Sequence, residues 1–179
     1  MMKVLAVVAT LAVSAMMASS CGYALAGRGS TLPDHIRRIG VPTFDNQSNT
    51  PDLDRVLSEA VRREFQSRGK FIIVEETTGV DAVLTGTVRP VLMTVSALTD
   101  ARQASRYLIT IQASVEFKDL KDNKVLWANP GLRTSDEYEV TGNLNINDPT
   151  ALFSQDANAL ERMARAFARN LVASILEAF

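Results

Sequence analysis

Cys21 is the only cysteine in the chain, and His35 is the only histidine. An enzyme needs groups that transfer protons, attack, or hold a metal. One thiol and one imidazole in separate segments form neither a Cys/His dyad nor a zinc set, and no Gly-x-Ser-x-Gly elbow occurs. Asp81 and Asp100 stand in separate loops. Glu75 and Glu76 are adjacent, so their side chains diverge. Asp136, Glu137 and Glu139 form an acidic cluster. Such a cluster can take a hard cation, but it reads equally as a set of exposed hairpin charges. Gly27 and Gly29 are not followed by a helix and make no phosphate loop. The chain reads as non-catalytic, with no cofactor and no metal.

The remaining chemistry is that of Cys21 itself. Residues 1–20 read MMKVLAVVATLAVSAMMASS. Lys3 supplies a positive n-region, Val4 to Met17 an apolar h-region, and Ala18-Ser19-Ser20 a small-residue tract. That is the layout of an export signal. It is shorter than the roughly 20 apolar residues a spanning helix needs. Cys21 sits at the point of cleavage, where its thiol could take a diacylglyceryl group and its new amine a third acyl chain. The segment Ala18-Ser19-Ser20-Cys21 therefore resembles a bacterial lipobox. An ordinary secretory signal with an incidental cysteine is the competing reading. Gly22 follows, where an aspartate would signal retention in the inner membrane, so the expected location is the outer membrane, on its periplasmic face. Two or more acyl chains hold a protein stably to a bilayer.

The composition sets bounds on the rest. Cys21 to Phe179 is the length of one domain with its own core. Hydrophobic content of 46% and charged content of 22% are those of a globular protein. A formal net charge of −1 points to neither a nucleic-acid binder nor a polybasic membrane binder. Arginine outnumbers lysine, and arginine favours bidentate contacts to carboxylate or phosphate.

Patterning then supplies the elements. Residues 1–20 are expected to form a signal peptide, 21–35 a linker to the anchor with His35 solvated at its end, and 36–179 a single domain. Ile36 to Phe44 reads as a strand, with Pro42 suited to an edge. Thr50 reads as an N-cap before Pro51, leading to a helix with Leu53, Val56, Leu57, Ala60, Val61 and Phe65 on one face. Gly69 reads as its stop, and Phe71 to Val74 as a short buried strand. From Ala82 to Leu98 the alternation flips parity at Pro90, which predicts a bulge near Arg89-Pro90. Arg106 to Lys118 alternates cleanly, with Tyr107, Ile109, Ile111, Ala113, Val115 and Phe117 on one face and polar residues on the other. Val125-Leu126-Trp127 begins a strand that Pro130-Gly131 is expected to interrupt, and Thr134 to Thr141 completes the sheet. Ser154 to Phe179 reads as a closing helix, with Leu160, Met163, Ala164, Phe167, Leu171 and Ile175 inward and Arg162, Arg165 and Arg169 outward. The sum is an α+β two-layer sandwich: two main helices on one face of a mixed, mostly antiparallel sheet of four or five strands.

An ordered set of segments now carries a family resemblance: CGYALAG, Leu32-Pro33, IRRIGVPTFDNQSNTPDL, LSEAVRREFQSRG, Val83 to Val88, SRYLITIQASVEF and the long last helix. Following a lipobox, this set resembles the LptE-type lipopolysaccharide-assembly lipoproteins, over nearly all of Cys21 to Phe179. The resemblance implies a non-enzymatic lipoprotein of the outer membrane, anchored through Cys21. It implies a plug and assembly partner for an LptD-type β-barrel, and direct lipopolysaccharide binding. It also implies basic lipid-binding residues near the hairpin loop before the long strand and in the strand after it. Their matches here are Arg102 or Arg106, and Arg133. A periplasmic lipoprotein that activates a peptidoglycan synthase or supports a secretion pore shares the FDNQSNT-like turn and stands as the alternative.

Overall fold

The structure is a computed structural model that describes residues 32–68, 70–98, 104–139, 148–155 and 157–178. Its strands are β1 (Arg38–Gly40), β2 (Asp45–Asn46), β3 (Ile72–Val74), β4 (Ala82–Val88), β5 (Leu92–Leu98), β6 (Ala104–Asp119) and β7 (Lys124–Glu139). Its helices are α1 (Leu53–Ser67), α2 (Thr150–Gln155) and α3 (Ala157–Leu176). Cys21, Arg102, Gly69 and most of both polar loops lie outside the described residues.

The fold is α+β, with one mixed sheet. β1 runs parallel to both β3 and β4, and β2 runs parallel to β4. β6 is the centre of the antiparallel part, pairing with β4 and β5 along one edge and with β7 along the other. Among the described residues seven strands take part, where the sequence predicts four or five. The surplus arises because Pro42, which has no N–H to donate, separates β1 from β2, and because the interruption at Arg89-Pro90 divides β4 from β5.

That interruption is the expected bulge. Val88 faces Ala113 and Leu92 faces Thr110, so the 82–98 stretch takes one residue more than β6 over the same length. Arg89 N–H still donates to the Gln112 carbonyl at 2.8 Å. Pro130-Gly131 behaves differently from expectation. β7 runs unbroken from Lys124 to Glu139 and absorbs the dipeptide as a bulge between the pairs Ala113–Leu132 and Val115–Asn129. The Gly131 N–H is satisfied by Asn129 Oδ1 at 2.9 Å, which lets the strand continue.

The core lies between the sheet and the two long helices. The inward set on β6 is as its alternation predicts, with Tyr107, Ile109, Ile111, Ala113, Val115 and Phe117 all buried. α1 contributes Leu53, Leu57, Ala60, Val61 and Phe65, and α3 contributes Met163, Ala164, Phe167, Leu171 and Ile175. The helix starts differ from the sequence reading. Thr50 does not cap α1: its side chain is buried and its Oγ1 has no hydrogen-bond partner. The N-cap position falls on Asp52, held in the left-handed region at φ 59° with no side-chain cap bond. The closing helix begins earlier than Ser154, at Thr150; its described residues are Thr150–Gln155 and Ala157–Leu176, and Asp156 lies outside the described residues. β3 is an edge strand rather than a buried one, with Ile72 60% exposed. Phe71 beside it packs edge-on against Phe65, ring centroids 6.3 Å apart. Among the described residues no helix is long and apolar enough to cross a membrane.

Candidate functional site

The outer face of β6 and β7 carries the polar residues that the core excludes. Pairing register sets them in rows: Arg106 opposite Glu139, Thr110 opposite Ser135, Gln112 opposite Arg133. Thr110 and Ser135 share a hydrogen bond of 2.8 Å across the pair. This row holds two of the three arginines that sequence singles out, and the two differ sharply in surroundings.

Arg106 is already engaged. Its Nη2 lies 2.5 Å from Glu139 Oε1 and its Nη1 3.6 Å from Glu137 Oε2. The hydrogen bond to Glu139 raises the guanidinium above its ordinary value, with the charges of Glu139 and Glu137 adding to it. Arg133 is exposed and pairs with no carboxylate among the described residues. Its neighbour across the strands is the neutral Gln112. The geometry thus leaves Arg133 open to an anion and Arg106 balanced at home. Arg102 cannot be placed with them, because it lies outside the described residues.

The acidic cluster is consumed internally. Glu137 and Glu139 serve Arg106, while Asp136 accepts the Tyr138 hydroxyl at 3.0 Å and the Glu137 N–H at 2.9 Å. Burial pushes the Tyr138 hydroxyl up to about 12, with the Asp136 carboxylate adding to the shift. The same hydroxyl lies 3.3 Å from the Ala159 carbonyl, and Arg162 sits 5.4 Å from the centre of the Tyr138 ring. This knot ties β7 to α3. In the outward arginine stripe, Arg162 is therefore occupied by the ring and Arg165 pairs with Glu161 at 3.3 Å.

His35 is not a solvated loop residue. Its Nε2 lies 2.8 Å from Asp119 Oδ2, and the Asp119 side chain is only 2% exposed. Asp119 falls on the core-facing parity of β6, so its carboxylate needs partners. The N–H groups of Lys121 and Asp122 supply two more, at 2.8 and 3.4 Å. Burial pushes the Asp119 carboxyl up, and these backbone and histidine hydrogen bonds outweigh it, leaving the carboxyl below its ordinary value. With Asp122 the trio brings three ligand atoms within 4.8 Å. Asp119 thus meets three donors, and the arrangement works as a latch between His35 and the β6–β7 turn. Asp81 performs a similar service nearby, accepting the N–H groups of Arg38 at 2.8 Å and Arg37 at 2.9 Å. Those bonds hold its carboxyl below the usual range.

Sequence reading missed both the latch and its buried aspartate. The signal was present: continuing the β6 alternation from Phe117 puts position 119 inward, and an inward aspartate demands donors. A Ser-x-x-Lys spacing, which the sequence reading takes to be absent, does occur at Ser67 and Lys70. Ser67 Oγ donates to the Glu64 carbonyl at 2.7 Å, at the exposed end of α1.

Comparison with known proteins places these features in a group. A family model described as LptE, lipopolysaccharide-assembly, matches residues 36–175. A protein from Chlamydia trachomatis superposes with a TM-score of 0.55 at 11% identity, covering 80% of this chain and 97% of that one. A protein from Xanthomonas campestris gives 0.50 at 16% identity, covering 84% and 90%. The rare lipoprotein B from Shewanella oneidensis gives 0.47 at 11% identity, covering 79% and 98%. At such identities the first two show a shared fold and nothing further. No curated protein sequence matches the chain. The family match spans both long helices and the whole sheet, and the chain belongs to the LptE family of lipopolysaccharide-assembly proteins.

Proposed function

We propose that this chain is a lipoprotein of the outer membrane, tethered through acylated Cys21 at the periplasmic face, with residues 36–179 forming its one folded domain. Its role is to plug an LptD-type β-barrel and assist its assembly during lipopolysaccharide transport to the cell surface. It performs no catalysis of its own. The observation that carries this reading is the family match over residues 36–175. The surface agrees with it physically. A plug must present polar strands to a water-filled lumen, and the outer face of β6 and β7 is built of Thr110, Gln112, Arg133 and Ser135.

Direct contact with lipopolysaccharide falls first to Arg133, whose forked guanidinium can grip a lipid A phosphate through two hydrogen bonds. Arg106 would first have to leave Glu137 and Glu139. Arg102 stands as the third contact.

The test is affinity recovery of the full-length chain from detergent-solubilised outer membranes. A large β-barrel should co-purify in stoichiometric amount. Recovery of a peptidoglycan synthase or a secretion pore in its place would redirect the assignment to that alternative.

A further inference from the structure

Between β1 and β2 the chain bows away from β4. Gly40 pairs with Val83 and Asp45 with Thr87, so Val41–Phe44 spans what Leu84–Gly86 spans on β4, with one residue in excess. Phe44 takes up that excess by turning inward. It is 3% exposed, and its ring fills the space a side chain at Gly86 would need, 3.0 Å from the ideal Cβ position. Its N–H donates to the buried Ser58 Oγ at 2.9 Å, which fixes the bow to α1. Thr43 and Asp45, its neighbours in the alternation, are left outward and exposed.

The result is a trough of about 340 Å³ on the outer face of the sheet. Thr43 and Asp45 form one wall, Thr85 and Thr87 the floor, and Ser114 and Glu116 the other wall. Among the described residues no Lys, Arg or His lines it. Asp45 accepts a hydrogen bond from Gln47 at 2.8 Å, and neither carboxylate ion-pairs with a described residue. Two uncompensated carboxylates in one concavity repel a phosphate and attract a cation. Hydroxyl oxygens around them accept N–H donors at several angles.

We propose that this trough is a docking pocket for a basic side chain, arginine or lysine, of the partner protein. The inference rests on the barrel-plug reading and adds the chemistry of the contact. Charge complementarity selects the occupant: a guanidinium offers five donors to match two carboxylates and four hydroxyls. Lipopolysaccharide phosphates are turned away here and face Arg133 instead, whose cross-strand neighbour Gln112 is two residues before Ser114 on β6. The outer face is thereby divided between a lipid contact and a protein contact.

The experiment compares the full-length wild type with two double variants, Asp45→Lys/Glu116→Lys and Asp45→Asn/Glu116→Gln. Each is recovered from solubilised outer membranes at low salt and at about 1 M salt, where the Debye length is about 3 Å. Thermal melts by circular dichroism accompany each. The reversal variant should retain the fold and lose barrel recovery by about tenfold at low salt. The neutral variant should lose several-fold, and high salt should weaken the wild type. Recovery of barrel by the reversal variant at the wild-type level overturns the inference. If the reversal variant does not fold, undiminished recovery by the neutral variant overturns it. Lost lipopolysaccharide binding with barrel recovery intact would reassign the trough to the lipid and overturn it as well. A wild type that recovers no barrel removes the plug reading and this inference together.

Discussion

Arg133 and Arg106 sit on the same face of neighbouring strands, yet only Arg106 pairs with a carboxylate among the described residues. Arg133→Ala should weaken binding of purified protein to lipopolysaccharide by about tenfold, the loss of a charge-assisted contact of roughly 1.5 kcal/mol. Arg106→Ala should change that affinity little, since Glu137 and Glu139 already hold its guanidinium. Titration of both variants with fluorescent lipopolysaccharide checks the contrast, and equal losses would contradict it. Sequence identifies these arginines but not their difference, because the carboxylates on Arg106 come from β7, more than thirty positions away. A second residue-level outcome concerns acid. Asp81 and Asp119 have carboxyls held below their ordinary value of 3.8. A depressed carboxyl contributes stability that is complete above the unfolded value and is lost as pH falls through the folded one. The melting temperature should therefore fall as the pH drops below the ordinary carboxyl range of about 4. The fall should be smaller in Asp81→Asn/Asp119→Asn, whose starting stability is already reduced. A parallel fall in both proteins would show that these two carboxyls contribute nothing to it.

The elements were legible where one face is dry and one wet. β6 shows its period of two from Tyr107 to Phe117, and α1 and α3 show their stripes, because burial there follows local alternation. The bulge at Arg89-Pro90 was legible for the same reason, as a parity flip with a proline at its centre. Legibility failed where a distant partner decides. Pro130-Gly131 looks like a break, but pairing to β6 along most of β7 carries the strand across it. Thr50 has the composition of a cap, but packing buries its side chain and moves the cap to Asp52. The trough was illegible too, since β2 and β6 meet over β4 only in three dimensions. Two glycines test this account of the elements. A Cβ at Gly40 would lie 2.3 Å from the Glu76 carbonyl oxygen, a backbone atom that cannot swing aside. At Gly86 it would meet the Phe44 ring at 3.0 Å, a side chain that can shift slightly. Gly40→Ala should cost more than Gly86→Ala, with the latter in the range of about 1–3 kcal/mol for overpacking. Urea denaturation of both variants gives the order directly, and a reversed order would contradict the account.

For the molecule as a whole, the latch at His35 and Asp119 fixes where the first described residues join the sheet. Leu32 and Ile36 on either side of it are buried, so residues 32–36 pack against the body beside the β6–β7 turn. The architecture and the family were within reach of the sequence, because an ordered set of segments spans the chain. The division of the outer face between an open arginine and an acidic trough was not, because it depends on strand register. The measurement that bears most directly on the central claim is depletion of this protein in growing cells, followed by labelling of surface lipopolysaccharide. The account predicts that surface lipopolysaccharide falls while the lipid accumulates inside the envelope, and that wild-type protein supplied from a plasmid restores it. Unchanged surface lipopolysaccharide in fully depleted cells would contradict the account.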